Sequence, residues 1–293
     1  MEGAAIPRAG SGPAEEVQHG GLNLGAIRHL TGARTVDPSH ASFMGLYRTT
    51  SLGGWSDELC EAAGVCEHLL PQIVSADAVA GLLRPATALE LGLTPGTPVL
   101  AGMVDTGAAT LLAGAAPGTL VNVCGSTDVL ALCTDRPRPH ERLLTRALGV
   151  GRLWVQVSTL AAAGSAIAWA HRQLFADLGP ARFSNLLEKL TDGQAPPAAV
   201  AFAPYLAGDR MSLEQRKAAF TGLTLASTRE DMLRAIIEAL STASAQRLTL
   251  LNGIEKHLSR NVLVSGGIPD VVQRVLVRDW PGQWSFQRED AAT

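Results

Sequence analysis

The sequence predicts an α/β fold, and three observations carry that expectation. Short apolar runs bounded by glycine turns recur at Val99–Val104, Leu120–Cys124 and Asn261–Val264. Segments of helical period follow them, the longest from about Arg229 to Leu251. Strand and helix signals alternate through the second half, with a strand hairpin at 120–132.

Of the 293 residues, 46% are apolar, enough for one large domain or two ordinary ones. The net charge of -3 comes from 24 basic and 27 acidic residues and gives no electrostatic case for nucleic acid. Cys60, Cys66, Cys124 and Cys133 have no C-x-x-C spacing and read as reduced core thiols. The histidines form no H-x-x-x-H pair, so no metal ligand is assigned. Residues 1–21, rich in Gly, Ala, Pro and Glu, read as a flexible tail without the apolar core of a signal peptide. No run of about 18 apolar residues offers a membrane span. A soluble, cytoplasmic chain with no membrane partner is expected.

The elements are expected in this order. Leu22–Leu30 is a short helix. Asp37 to Ser39 is a turn or cap, and Ala41 to Tyr47 is helical or extended. Ser56 caps a helix over Asp57–Ala63, and Gly92 closes one over Ala86–Leu91. The strand at Val99 delivers Asp105 at its end, and a small-residue helix spans Thr106–Ala115. After the hairpin come a loop around Pro137 and Pro139, a strand at Leu153–Val157, and helices at Ala161–Asp177 and Phe183–Leu190. Residues 193–197 form a loop. Thr228 caps the long helix, with Asp231 completing a capping box. Asn261–Val264 is a buried strand, and Pro269 opens the last helix.

Four features carry chemistry. Asp105 is a lone carboxylate at a strand end, which reads either as the cap of the next helix or as a general base. Gly125-Ser126-Thr127 reads as a hairpin turn or as a nest of N–H groups and hydroxyls for an anion. Ser265-Gly266-Gly267 sits between a strand and a helix. It serves tight packing there, or the close approach of a flat ligand or phosphate. Trp55 stacks on a sugar or anchors a loop. In addition, Asp209-Arg210 reads as a charged pair after an apolar turn. Gly102 to Gly107 has Walker-like spacing, but Ala108-Ala109 follow where Lys and Ser/Thr are required.

In order, these pieces resemble the FGGY carbohydrate kinases, which include xylulokinases, gluconokinases and glycerol kinases. Thr31-Gly32 with Asp37-x-Ser39-x-Ala41-Ser42, then Gly54-Trp55-Ser56-x-x-Leu59, then Leu70-Pro71 with Gly81, are similar to family stretches. So are Gly92-Leu93 with Gly96-Thr97-Pro98, and Gly102-Met-Val-Asp105, where the family has G-G-x-D. Gly125-Ser126-Thr127 stands at its G-T-S. Pro204-Tyr205-Leu206-x-Gly208-Asp209-Arg210 stands at P-Y-L-x-G-E-R, and Phe220-x-Gly222-Leu223 opens the second signature. Ser265-Gly266-Gly267 matches the adenosine motif.

The resemblance implies an actin-like ATPase fold of ribonuclease-H-like domains around a cleft. It divides the chain into the tail 1–21, the remainder of a sugar-binding domain at 22–117, and a nucleotide-binding domain at 118–293. It implies ATP with Mg²⁺, and a sugar or polyol acceptor. Asp105 would be the base, with Thr106 and Trp55 beside the substrate. Gly125, Ser126 and Thr127 would hold phosphates, and Gly266 and Gly267 would border the adenosine. The family's N-terminal D-x-G-T hairpin and C-terminal helix have no counterpart here, so an incomplete kinase is expected. A degenerate, non-catalytic nucleotide- or partner-binding module is the alternative, and a homodimer is left open. An aspartic protease is a third reading, from Asp105-Thr106-Gly107-Ala108, but the helices contradict an all-β fold and no second D-T-G is present.

Overall fold

The computed structural model describes residues 22–192, 199–210, 212 and 214–288. The expected tail at 1–21 and the loop at 193–197 lie outside the described residues. In the first half the elements are α1 (Leu22–Thr31), β1 (Thr35–Val36), α2 (Pro38–Ala41), α3 (Asp57–Ala63), β2 (Gln72–Ile73), β3 (Val79–Leu82), α4 (Pro85–Leu91), β4 (Pro98–Leu100) and α5 (Asp105–Leu112). Then follow β5 (Leu120–Cys124), β6 (Asp128–Thr134), β7 (Leu144–Ala147), β8 (Trp154–Leu160), α6 (Gly164–Leu174), α7 (Pro180–Asp192), β9 (Ala201–Ala203) and β10 (Ala219–Thr221). The chain closes with α8 (Arg229–Ile254), β11 (Asn261–Ser265), α9 (Asp270–Val277) and β12 (Ser285–Arg288).

A mixed sheet organises the second half, in the order β12-β11-β5-β6-β8-β7. β12, β11 and β5 run parallel, and the remaining neighbours pair antiparallel. Side chains alternate across the pleat, so each strand feeds two cores. Leu120, Leu130, Leu132, Val262 and Val264 pack with Leu248 and Leu251 of α8. Val121, Ala131, Val155 and Val157 meet Ala109 of α5 on the other face. A third cluster joins Ile236, Ile237 and Leu240 of α8 to α6, α7 and α9. Burying such side chains contributes about 1.5–3 kcal/mol each.

Local signals set the helix ends. Thr228 and Asp231 form the expected capping box: the Thr228 hydroxyl accepts the Asp231 N–H, and the Asp231 carboxylate accepts the Thr228 N–H. Ser56 caps α3, and Gly92 ends α4 in the left-handed conformation. The strand expected over Val99–Val104 stops at Leu100, because Gly102 at φ +69° turns the chain. Segment 41–47 is a series of turns ending in a bridge from Tyr47 to Trp55.

The first half holds two small two-stranded sheets, β1-β2 and β3-β4. Eleven of the fourteen exposed large apolar side chains among the described residues lie in 22–117, so its packing is thinner than that of the second half. It is nonetheless fastened to the large sheet. The Ala147 N–H donates to Ser42 Oγ at 3.0 Å, Trp154 Nε1 donates to the Thr49 carbonyl at 2.7 Å, and the Ala76 N–H donates to the Gly149 carbonyl at 2.9 Å.

Candidate active site

Because β5 and β11 are parallel neighbours, their C-terminal ends lie at the same edge of the sheet. The turn Gly125–Thr127 follows β5, and Gly266-Gly267 follows β11. One close approach locks them together, and a second seats the start of α6 on the first turn. Gly266 has φ +101°, and a Cβ there would stand 2.2 Å from the Cys124 carbonyl oxygen. A Cβ on Gly164 would stand 2.4 Å from the Gly125 carbonyl oxygen. Only glycine fits either place.

The start of α6 spends its first donors on this turn. The Ala163 and Ser165 N–H groups and the Ser165 hydroxyl all donate to the Ser126 carbonyl. The Gly125 N–H donates to the Thr127 carbonyl at 2.8 Å. Among the described residues, the N–H groups and hydroxyls of Ser126 and Thr127 have no partner, nor do the N–H groups of Gly266 and Gly267. Free N–H groups on two neighbouring turns are donors of the kind that can receive an anion.

Beneath the turn lies a buried polar network. Asp128 is fully buried, and its carboxylate and backbone carbonyl both accept from the Arg247 guanidinium of α8. Asn122 Nδ2 donates to the same carboxylate, and the Cys124 thiol lies 3.1 Å from it. Burial, then the Asp128 charge, pushes the Cys124 thiol far above the ordinary thiol range, so it stays protonated.

A cavity of about 520 Å³ opens from these turns between α6, α7 and α9. Its walls include Gly125, Ser126 and Gly267, together with Ile167, His171 and Phe183. The sequence signalled the turns but not His171, Phe183 or the Asp128–Arg247 pair. Arg247 does stand at helical spacing among buried α8 positions, a charge on an apolar face that marks such a pair.

Asp105 and Thr106 stand elsewhere, at the start of α5 and outside the cavity walls. Asp105 is the first helical residue, and no side-chain cap bond is made at Val104 before it. Its Oδ1 accepts the Thr106 N–H at 2.6 Å and the Thr106 hydroxyl at 3.1 Å. Its Oδ2 has no partner among the described residues, and the group is exposed. The backbone leading to it is pinned by Ser39, whose buried hydroxyl accepts the Val104 N–H at 3.0 Å.

Three expectations need correction. Trp55 is buried, its indole N–H donates to the Pro71 carbonyl at 2.9 Å, and its ring meets Tyr47 edge-on. It anchors a loop and offers no face to a sugar. The charged pair expected within Asp209-Arg210 is made further along the chain: Asp209 pairs with Arg216 at 3.5 Å, and Glu214 and Tyr205 hold the same guanidinium. Cys66 is exposed, whereas the other three thiols are buried. Among the described residues, no helix is long and apolar enough to cross a membrane.

The model of the FGGY family of carbohydrate kinases, N-terminal domain, matches residues 26–112, and that of the C-terminal domain matches residues 120–276. The chain is 31% identical over 241 residues to erythritol kinase of Brucella abortus (strain 2308), covering 74% of this chain and 45% of that protein. It is 24% identical over 259 residues to xylulose kinase of Escherichia coli (strain K12), covering 87% and 52%. The chain thus spans about half the length of the curated relatives it matches. Xylulose kinase from Rhodospirillum rubrum superposes with a TM-score of 0.70 at 26% identity, over 85% of this chain and 51% of that one. Plasmodium falciparum glycerol kinase with ADP gives 0.73 at 18% identity, over 88% and 52%, a likeness of fold alone. These neighbours share the actin-like ATPase fold, which is therefore the fold of this chain. The chain belongs to the FGGY family of carbohydrate kinases.

Proposed function

We propose that the chain carries the donor site and the acceptor-activating carboxylate of an ATP-dependent sugar or polyol kinase. The observation that carries this reading is the pair of turns with unpartnered N–H groups at the shared end of β5 and β11. When bound, ATP supplies the phosphoryl group. The turn Gly125–Thr127 holds its phosphates by the N–H and hydroxyl donors of Ser126 and Thr127, which need no reorganisation as charge shifts, and Gly266 and Gly267 border its adenosine. Asp105 Oδ2 accepts the hydroxyl proton of the acceptor as its oxygen attacks phosphorus in line and ADP departs. The Thr106 hydroxyl keeps the carboxylate oriented. Mg²⁺ is proposed to arrive on the phosphates. Among the described residues, no three of His, Cys, Asp and Glu gather to hold a metal ion. Division into domains at 22–117 and 118–293, a cytoplasmic location and a homodimer belong to the same proposal.

The test is ADP formation with a panel of polyols, ketoses and aldonates. It is run on this chain and, where it is part of a longer protein, on that protein. Acceptor-dependent ADP formation is expected. ATP binding without any acceptor-dependent turnover would replace this reading with that of a nucleotide-binding module.

A further inference from the structure

The cavity beyond the two turns has a specific chemical bias. Among the described residues its wall carries no lysine, arginine or carboxylate. The wall is apolar (Ile167, Phe183 and Leu187 among others), interrupted by a few hydroxyls and one imidazole, His171.

His171 is held in one orientation. Its ring stacks on Phe183, with centroids 4.3 Å apart and planes 9° from parallel. Its Nε2 lies 2.9 Å from the Leu178 carbonyl oxygen. A carbonyl only accepts, so Nε2 carries the proton. In the neutral imidazole, Nδ1 is then a bare acceptor, and it has no partner among the described residues.

We infer that His171 is the base-reading residue of this cavity and selects a purine nucleotide with a 6-amino group over one with a 6-oxo group. The inference rests on the reading of the cavity as the donor site and adds to it the residue that distinguishes the base. A 6-amino group donates to the Nδ1 lone pair. A 6-oxo group presents a second lone pair to it, and both acceptors are left unpaired in an apolar pocket. Sites that hydrogen-bond a ligand group discriminate strongly against an analogue lacking it. The absence of a wall carboxylate among the described residues removes the usual partner for the N1–H and 2-amino donors of guanine.

The experiment is direct titration of the chain with ATP, ITP and purine riboside triphosphate, for wild type and His171→Phe. Phenylalanine keeps a ring against Phe183 and removes the acceptor. Wild type is expected to bind ATP about tenfold or more tightly than either analogue. In His171→Phe the three affinities should converge, mainly by weakening of ATP. Equal wild-type affinities, or a ratio unchanged in His171→Phe, would overturn the assignment of His171 and leave the donor-site reading standing. If no triphosphate binds at all, the donor-site reading falls and the inference falls with it. Should His171→Phe fail to fold, the wild-type ratio alone decides: a ratio near one overturns the inference, and a tenfold preference for ATP supports it.

Discussion

The buried hydroxyl of Ser39 accepts the backbone N–H of Val104 at 3.0 Å, one residue before the exposed carboxylate of Asp105. Ser39 belongs to α2, whose N-cap Asp37 is itself fully buried and accepts the Ser39 N–H at 2.7 Å. A segment 65 residues upstream in sequence therefore fixes where the proposed base stands. Ser39→Ala leaves the Val104 N–H unpaired, at a cost of about 1–3 kcal/mol. It should also lower kcat about tenfold by displacing Asp105, with little change in ATP affinity. Steady-state kinetics beside nucleotide titration check this. A loss of stability with kcat intact would make Ser39 purely structural.

Asp128 and Arg247 form a buried ion pair behind the Gly125–Thr127 turn. Removing one partner strands the other charge, so Asp128→Asn or Arg247→Met should each destabilise the fold by about 3–5 kcal/mol. The double replacement Asp128→Leu with Arg247→Met should cost less than either single change. Urea unfolding of the three variants measures this, and additive losses would contradict the pairing.

Gly266→Ala places a Cβ against the Cys124 carbonyl in a backbone conformation that side chains avoid. A loss of stability of about 1–3 kcal/mol is expected, with weakened ATP binding because the two turns are pushed apart. Thermal melts with and without ATP report both effects.

The thiols should react in a fixed order. Cys66 is exposed, whereas Cys60, Cys124 and Cys133 are buried. Burial, and then the nearby Asp135 charge, raises the Cys133 thiol to about 11, and Cys124 is pushed higher still. A thiol-specific chromophore at neutral pH should therefore modify one cysteine rapidly in the native protein and the remaining three only on unfolding.

Much of this architecture was readable in advance where local chemistry suffices. The Thr228–Asp231 capping box, the Ser56 cap, the Gly92 stop and the 120–132 hairpin each depend on residues close in sequence. The short strands β7 and β12 were not, since Leu144–Ala147 and Ser285–Arg288 lack a long apolar run and exist through their neighbours. In the site, the glycine turns were legible because glycine is rare in strands and its placement carries meaning. The stacked His171 and the Asp128–Arg247 pair join groups far apart in the chain, which spacing alone does not reveal. Trp55 shows the converse: its loop motif was visible, but its burial against Pro71 depends on the fold.

Phosphoryl transfer assisted by Asp105 is the centre of this account. The measurement that bears on it most directly is the rate of acceptor-dependent ADP formation in Asp105→Asn, taken beside the ATP dissociation constant of the same variant. Asparagine keeps the shape and removes the basicity. The rate should fall about 10²–10⁴-fold while ATP affinity stays within about twofold of wild type. A rate near that of wild type would contradict the account and reduce Asp105 to a structural residue in the first turn of α5.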